Sequence, residues 1–253
     1  MKKLNITLLA ILMTTMFTLA GIAQSHQTRQ VSNFNAIASS GPFNVKVKIN
    51  GTESVSVEAD ENIINEIETV VEDNTLKIRW KKPYEQHHDM HKADIYVSAK
   101  ELSGLINNGS GNIDVEGSVN ADHLPTVLNG SGNIDVEGSV NSDHLHTVLN
   151  GSGSIKASIK SGNLEAAIHG SGSIKLNGVA DDASIAVSGS GQLYGKELKT
   201  QSAAVSISGS GNVYVSAEKN ITGSIAGSGS VIYSGNATVT SHTIGSGRVR
   251  KEE

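Results

Sequence analysis

Cysteine is absent from the 253 residues, so no disulfide can staple the fold and no lipid can be attached through a thiol. Aromatic residues make up only 4% of the chain, which excludes a core of large rings and requires a thin one of Val, Ile, Leu and Ala. Arginine occurs only at Arg29, Arg79, Arg248 and Arg250, leaving the middle of the chain without a guanidinium. Twenty basic against 25 acidic residues give a net charge of −5, a mild balance that argues against nucleic acid and against a basic membrane patch. No stretch shows the three-four apolar spacing of a helix after the N-terminus. One apolar run stands out, from Leu4 to about Ala20, preceded by Lys2 and Lys3 and followed by the small residues Gly21 and Ala23. That pattern predicts a bacterial secretory signal peptide over 1–23; the run is short for a membrane anchor, and no span is expected after cleavage.

Glycine is abundant instead, at 27 residues, and 16 of these lie in a Gly-Ser-Gly triplet that occurs eight times. The triplets start at 109, 130, 151, 170, 189, 209, 227 and 245, spaced by 21, 21, 19, 19, 20, 18 and 18 residues. A fixed self-similar period near twenty is the mark of a solenoid. Two residues after each triplet stands an aliphatic side chain (Ile113, Ile134, Ile155, Ile174, Leu193, Val213, Val231, Val249), always with a polar residue between. Two residues before it, six copies are aliphatic, and only Asn107 and Thr243 at the two ends depart. Each unit therefore reads as strand, tight corner, strand and a looser return such as GSVNADHL. Stacked units of this kind make an all-β fold, a parallel β-helix of about eight coils and about 38 Å, with right-handed coiling as the default. Residues 108–128 and 129–149 agree at 19 of 21 positions, so one coil has been copied in tandem.

The preceding segment, 24–105, is β-rich and is expected to start and cap the rod that 106–253 forms. Alternation is clear in FNVKVKI, SVSVEA and TLKIRW, separated by Asn50-Gly51 and Asp73-Asn74, with one helical turn expected near Glu61 to Ile67. Phe34-x-x-Ile37, Gly41, Val45-x-Val47-x-Ile49 with Gly51, DNTLKIRW, DIYVSAKELSGL and the GSGNIDV or GSGSIKL units together resemble the putative auto-transporter adhesin head GIN domain family. That resemblance spans about Arg29 to Arg250 and implies an exported β-helical protein of the periplasm, outer-membrane surface or medium. It supplies no catalytic motif, and with SHTIGSGRVRKEE in place of alternating barrel strands the chain is not expected to export itself.

Function should lie in what varies between copies. Three residues after each triplet the residues read Asp114, Asp135, Lys156, Lys175, Tyr194, Tyr214, Ile232 and Arg250, and alternation turns most of this column to solvent. Lys156, Lys175, Tyr194 and Tyr214 are the candidate ligand-binding residues, the tyrosines as platforms for a sugar; the plain alternative is a solvated face. Asp114, Glu116, Asp135 and Glu137 form an acidic cluster with oxygen ligands of the kind that hold calcium, the one cofactor the sequence suggests, although solvated carboxylates are the simpler reading. His87, His88, Asp89 and His91 are the densest nitrogen ligands but read as a polar loop. His123 and His144 are copies of one position.

Asp181-Asp182 is the only adjacent acidic pair on the repeats, and paired carboxylates can hydrolyse glycosides. No Gly-His-Gly or Arg-x-Lys motif accompanies it, and a turn accounts for the pair. The sequence thus points to a non-enzymatic exported rod that binds a surface glycan or protein. A polysaccharide-processing enzyme and a self-associating envelope protein, a homo-oligomer, are the alternatives.

Overall fold

The computed structural model describes residues 24–82 and 93–252. The expected signal peptide and the His87, His88, Asp89, His91 set lie outside those residues. Seven strands precede the first triplet: β1 (Gln24–Arg29), β2 (Ala36–Ser40), β3 (Asn44–Ile49), β4 (Ser54–Asp60), β5 (Ile67–Glu72), β6 (Thr75–Trp80) and β7 (Ala93–Ala99). The first repeat holds β8 (Gly104–Gly109), β9 (Asn112–Glu116) and β10 (Val119–Asn120), followed by β11 (His123–Gly130). The long strands β12 (Asn133–Gly151), β13 (Ser154–Gly170), β14 (Ser173–Gly189), β15 (Gln192–Gly209) and β16 (Asn212–Gly227) then run almost from triplet to triplet. The chain closes with β17 (Ser230–Ser234), β18 (Thr238–Gly245) and β19 (Arg248–Lys251). From β8 to β17 every strand pairs in parallel with its copy one repeat later, which makes the chain a parallel β-solenoid of about eight turns.

The returns are not loose. From β12 to β16 they are strand as well, bent by register shifts such as those at Val136/Ser139 and Lys175/Gly178, and only the first return and the one after Ser234 break the strand. A parallel ladder can turn a corner without losing its bonds, because each residue pairs with the coil above and below rather than with its own coil.

The corners explain the triplet. Seven of its eight first glycines have φ between +114° and +142°, where a Cβ is strained. The carbonyl of Gly151 accepts from both Ser171 N and Gly172 N, each at 3.0 Å, and the same pattern recurs along the stack. Backbones therefore approach so closely that a Cβ on Gly132, a second glycine, would lie 1.9 Å from the Gly111 carbonyl oxygen. The triplet serines at 131, 152, 171, 190, 210 and 228 are exposed. A further corner precedes the repeats: Gly109 stacks on Gly41, in the unrelated sequence Ser40-Gly41-Pro42-Phe43.

Both aliphatic columns are buried as expected except at half-buried Val249 in the last copy, with Ile113, Leu128, Leu149, Ile168, Ile174, Leu193, Val213 and Val231 wholly inaccessible. Each such side chain contributes about 1.5–3 kcal/mol on burial. Asn107, the exception in the first copy, is also fully buried, because its amide donates to Gly111 O at 2.7 Å and to Asn133 O at 3.3 Å. Beside the corners, Asn108, Asn129 and Asn150 bond in series at 2.7 Å per step.

Chain order and stacking order differ at the N-terminal end. Strands β2 and β3 pair in parallel with β8 and β9 on one side and with β6 and β7 on the other. The coil made by β6 and β7 is thus stacked outside the earlier one, and the chain steps over β2 and β3 to begin the repeats. Antiparallel β5 continues one face, and antiparallel β4 and β1 the other. Residues 61–66 form turns, with Ile63 N and Ile64 N both donating to Asp60 O, where one helical turn is expected. Ile63, Ile64 and Ile67 are buried in the core together with Phe34 and Phe43, and Phe43 packs against Trp80 at 4.9 Å.

Candidate binding face

The strand alternation that buries Ile113, Ile134, Ile155, Ile174, Leu193 and Val213 turns the next residue of each strand outward, and parallel register stacks these residues into one ladder. Asp114 pairs with Asp135, Asp135 with Lys156, Lys156 with Lys175, Lys175 with Tyr194 and Tyr194 with Tyr214. The four candidate ligand-binding residues therefore share one line on one face. Tyr194 and Tyr214 stack with centroids 5.5 Å apart and planes 9° from parallel. Tyr194 is 39% exposed and donates its hydroxyl to Gln192 Oε1 at 2.6 Å, and the Lys196 ammonium lies 5.3 Å over the Tyr214 ring. Lys196 itself is held by Glu252. Ring, hydroxyl and ammonium are thus fixed in place, which lowers the ordering cost of binding.

Ile232 departs from expectation. It is buried, between its register neighbours Tyr214 and Arg250, so the solvent-facing part of the ladder ends at the tyrosines.

The ladder also extends the other way. Lys46 pairs with Asp114 on one side and with Tyr96 on the other. Neither was among the sequence candidates, because the N-terminal strands carry no triplet from which to count. The signal was present in the alternation, which turns Lys46 outward between Val45 and Val47 and Tyr96 outward between Ile95 and Val97. Lys46 Nζ sits 5.0 Å over the Tyr96 ring and 3.2 Å from Asp94 Oδ2. Its hydrogen bond to Asp94 raises its pKa above the ordinary lysine value.

The acidic cluster meets lysines. Lys156 Nζ lies 2.9 Å from Asp135 Oδ2 and Lys48 Nζ 3.1 Å from Glu116 Oε1, while Asp114 and Asp135 are in register. Burial, and then the Asp135 and Glu137 carboxylates, push the Asp114 carboxyl above its ordinary value, with Lys46 opposing them. Among the described residues no group of three or more acidic or histidine side chains is placed to hold a metal ion. His123 and His144 stack ring on ring at 4.8 Å, as copies in register must.

Asp181 and Asp182 are parted by their corner. Asp182 lines a groove of 420 Å³ that also holds His144, His146 and Glu165, whereas Asp181 lines a different groove of 600 Å³ with Lys160 and Asp143. Two carboxylates facing different grooves cannot flank one glycosidic bond. The His146–Glu165 pair, 3.9 Å apart, is the densest titratable pairing on the first groove, and the sequence offered only the spacing of neighbouring copies to find it.

No helix among the described residues is long and apolar enough to cross a membrane. Over residues 33–137, and again over 126–237, the sequence matches the family described as "Putative auto-transporter adhesin, head GIN domain". No curated protein matches it. Among solved structures, a putative lipid binding protein from Parabacteroides distasonis is 28% identical with a TM-score of 0.84, over 91% of this chain and 97% of that one. A putative adhesin from Parabacteroides merdae shares the fold at a TM-score of 0.87 and 22% identity, over 91% of this chain and 96% of that one.

Proposed function

The chain belongs to the family of the auto-transporter adhesin head GIN domain, and from that premise we propose that it is an exported, non-enzymatic adhesion module of the cell envelope. Its binding surface is the solvent-facing ladder, and its partner is a surface glycan. One observation carries this reading: the parallel Tyr194–Tyr214 stack, with Tyr194 exposed and Tyr214 half-buried, on a line of fixed polar residues. Such rings offer an apolar face to a sugar while their hydroxyls and the flanking Lys175 and Lys196 offer polar contacts. A rigid β-scaffold favours this use, since the platform is built before the ligand arrives. A lipid partner, which the name of the Parabacteroides distasonis protein raises, has less support. The coil interior is filled by aliphatic columns, and the exposed large apolar side chains Tyr96, Val179, Tyr194 and Ile244 do not adjoin in register.

The test is a glycan array probed with the mature chain and with a Tyr194→Ala/Tyr214→Ala double variant. A loss of signal of tenfold or more on the glycans bound by wild type is expected, with circular dichroism unchanged. Equal signals from both proteins would sink the proposal.

A second reading, association of rods into oligomers, has its own observation. Among the described residues, strand β18 pairs only with β16 and β19 only with β17, and Ile244 is 65% exposed.

A further inference from the structure

The tyrosine pair is one end of a longer feature. Counting back from Tyr214 through the register, Tyr96 stands seven rungs away. At roughly 4.8 Å per rung the two are about 34 Å apart on one straight line. Tyr96 is exposed to the same degree as Tyr194, 37% against 39%. It is also fixed, with Lys46 over its ring and its hydroxyl donating to Glu58 Oε2 at 3.0 Å. Its register partner away from Lys46 is Ser56, and with Ser54 and Ser98 this small side chain leaves a groove of 510 Å³ beside the ring. Asp114, half-buried in the same groove, accepts no hydrogen bond from any described residue, while the neighbouring Lys46 is engaged by Asp94. A matching groove of 350 Å³ lies beside Tyr194, between Lys175 and Lys196.

We infer that Tyr96 and the Tyr194–Tyr214 pair are two stacking stations of one track, and that the ligand is a linear glycan extended along the solenoid axis, long enough to reach both. This rests on reading the tyrosine pair as a glycan platform. Three features select the class of ligand. The backbone groups of the ladder are consumed by the parallel sheet, so an extended peptide finds no edge on this face to augment. Between the stations the ladder reads Lys46, Asp114, Asp135, Lys156 and Lys175, a mixture of signs in which Lys156 bridges Asp135, which suits a chain of low charge rather than a polyanion. The rung spacing, about 5 Å, is close to the advance of an extended pyranose chain per ring, so successive rings meet successive rungs. About seven rings are needed to span the track.

The two stations act through effective concentration. A ligand that reaches both gains at least about tenfold over one that reaches a single station, a threshold set below the roughly hundredfold or more that linked sites can provide. The experiment is calorimetric titration of the mature chain with β-1,4-linked glucose, mannose and N-acetylglucosamine oligosaccharides of two, four, six and eight rings. Wild type, Tyr96→Ala, Tyr96→Phe and Tyr194→Ala/Tyr214→Ala are compared.

The expected result is a rise in affinity of tenfold or more between four and eight rings in the series that binds. Tyr96→Ala removes that rise without changing affinity for four rings or fewer, and Tyr96→Phe, which keeps the ring, retains it. Affinity that levels off by four rings and ignores Tyr96→Ala, yet is abolished by the double variant, overturns the track and leaves the platform standing. No binding in any series, or binding that the double variant leaves intact, overturns the platform and the track with it.

Discussion

At its N-terminal end the solenoid is closed by strands that run against the coils, whereas at its C-terminal end the last coil offers its edge to solvent. Strands β1, β4 and β5 are antiparallel additions, and Ile63, Ile64, Ile67, Phe34 and Phe43 fill the space beneath them. Arg79 joins Glu68 and Glu72 across the outer pair. At the other end Val239 and Val249 are only half-buried, Ile244 protrudes, and β18 and β19 each have one neighbour. Coils in a solenoid are held by their neighbours, so a coil with one neighbour is held about half as well. The rod should therefore be stiffest near Tyr96 and loosen beyond Tyr214.

Charges placed in the two ends give the largest contrast. Ile64→Asp buries an unpaired carboxylate under the closed end and should cost about 3–5 kcal/mol in denaturant unfolding, while Val249→Asp should fray one coil at under about 1 kcal/mol. Equal costs would break the comparison. Corner glycines come next. A Cβ at Gly153 would meet Gly132 O at 2.0 Å and Leu128 Cδ2 at 2.8 Å, between two well-held coils. At Gly247 in the last coil, which has a neighbour on one side only, the nearest atoms are Ile225 Cγ2 at 2.5 Å and Gly229 O at 2.7 Å. Gly153→Ala should thus lower the unfolding midpoint by about 2–4 kcal/mol in equivalent stability and Gly247→Ala by less than half of that.

Ile244→Lys sharpens the comparison from the open side. It should change stability by less than about 0.5 kcal/mol but abolish any concentration-dependent association seen by sedimentation; association that persists would place the contact elsewhere. The smallest effect concerns Asp114. Its carboxyl titrates above its ordinary value, so the folded state holds the proton more tightly than the unfolded chain, and stability falls as pH rises from 3.8 through the folded value. Asp114→Asn should accordingly stabilise slightly at pH 7, with the gain vanishing as pH falls to about 3.8; a gain that persists in acid would mean another cause.

Most of this architecture was legible in the triplet period. The period gave coil number and both core columns, and parallel pairing then brought Lys156, Lys175, Tyr194 and Tyr214 onto one line. What escaped lies where the count has no anchor. The Gly41 corner sits in Ser-Gly-Pro-Phe, and the coil of β6 and β7 stacks outside β2 and β3 against chain order. Lys46 and Tyr96 were missed for that reason, since strands without a triplet reveal which face a residue takes but not which rung. Asn107 breaks an aliphatic column in sequence yet is buried, because its side-chain amide bonds the Gly111 and Asn133 carbonyls at the corner. The parting of Asp181 from Asp182 depends on where one corner bends, which composition does not encode.

The central claim is that the ladder from Tyr96 to Tyr214 holds the ligand. A crystal structure with the eight-ring oligosaccharide that binds tightest tests it most directly. The account predicts sugar rings stacked on Tyr194 and Tyr214 and continuing rung by rung to Tyr96. A ligand seated instead in the groove of His146, Glu165 and Asp182, with the ladder bare, would contradict it.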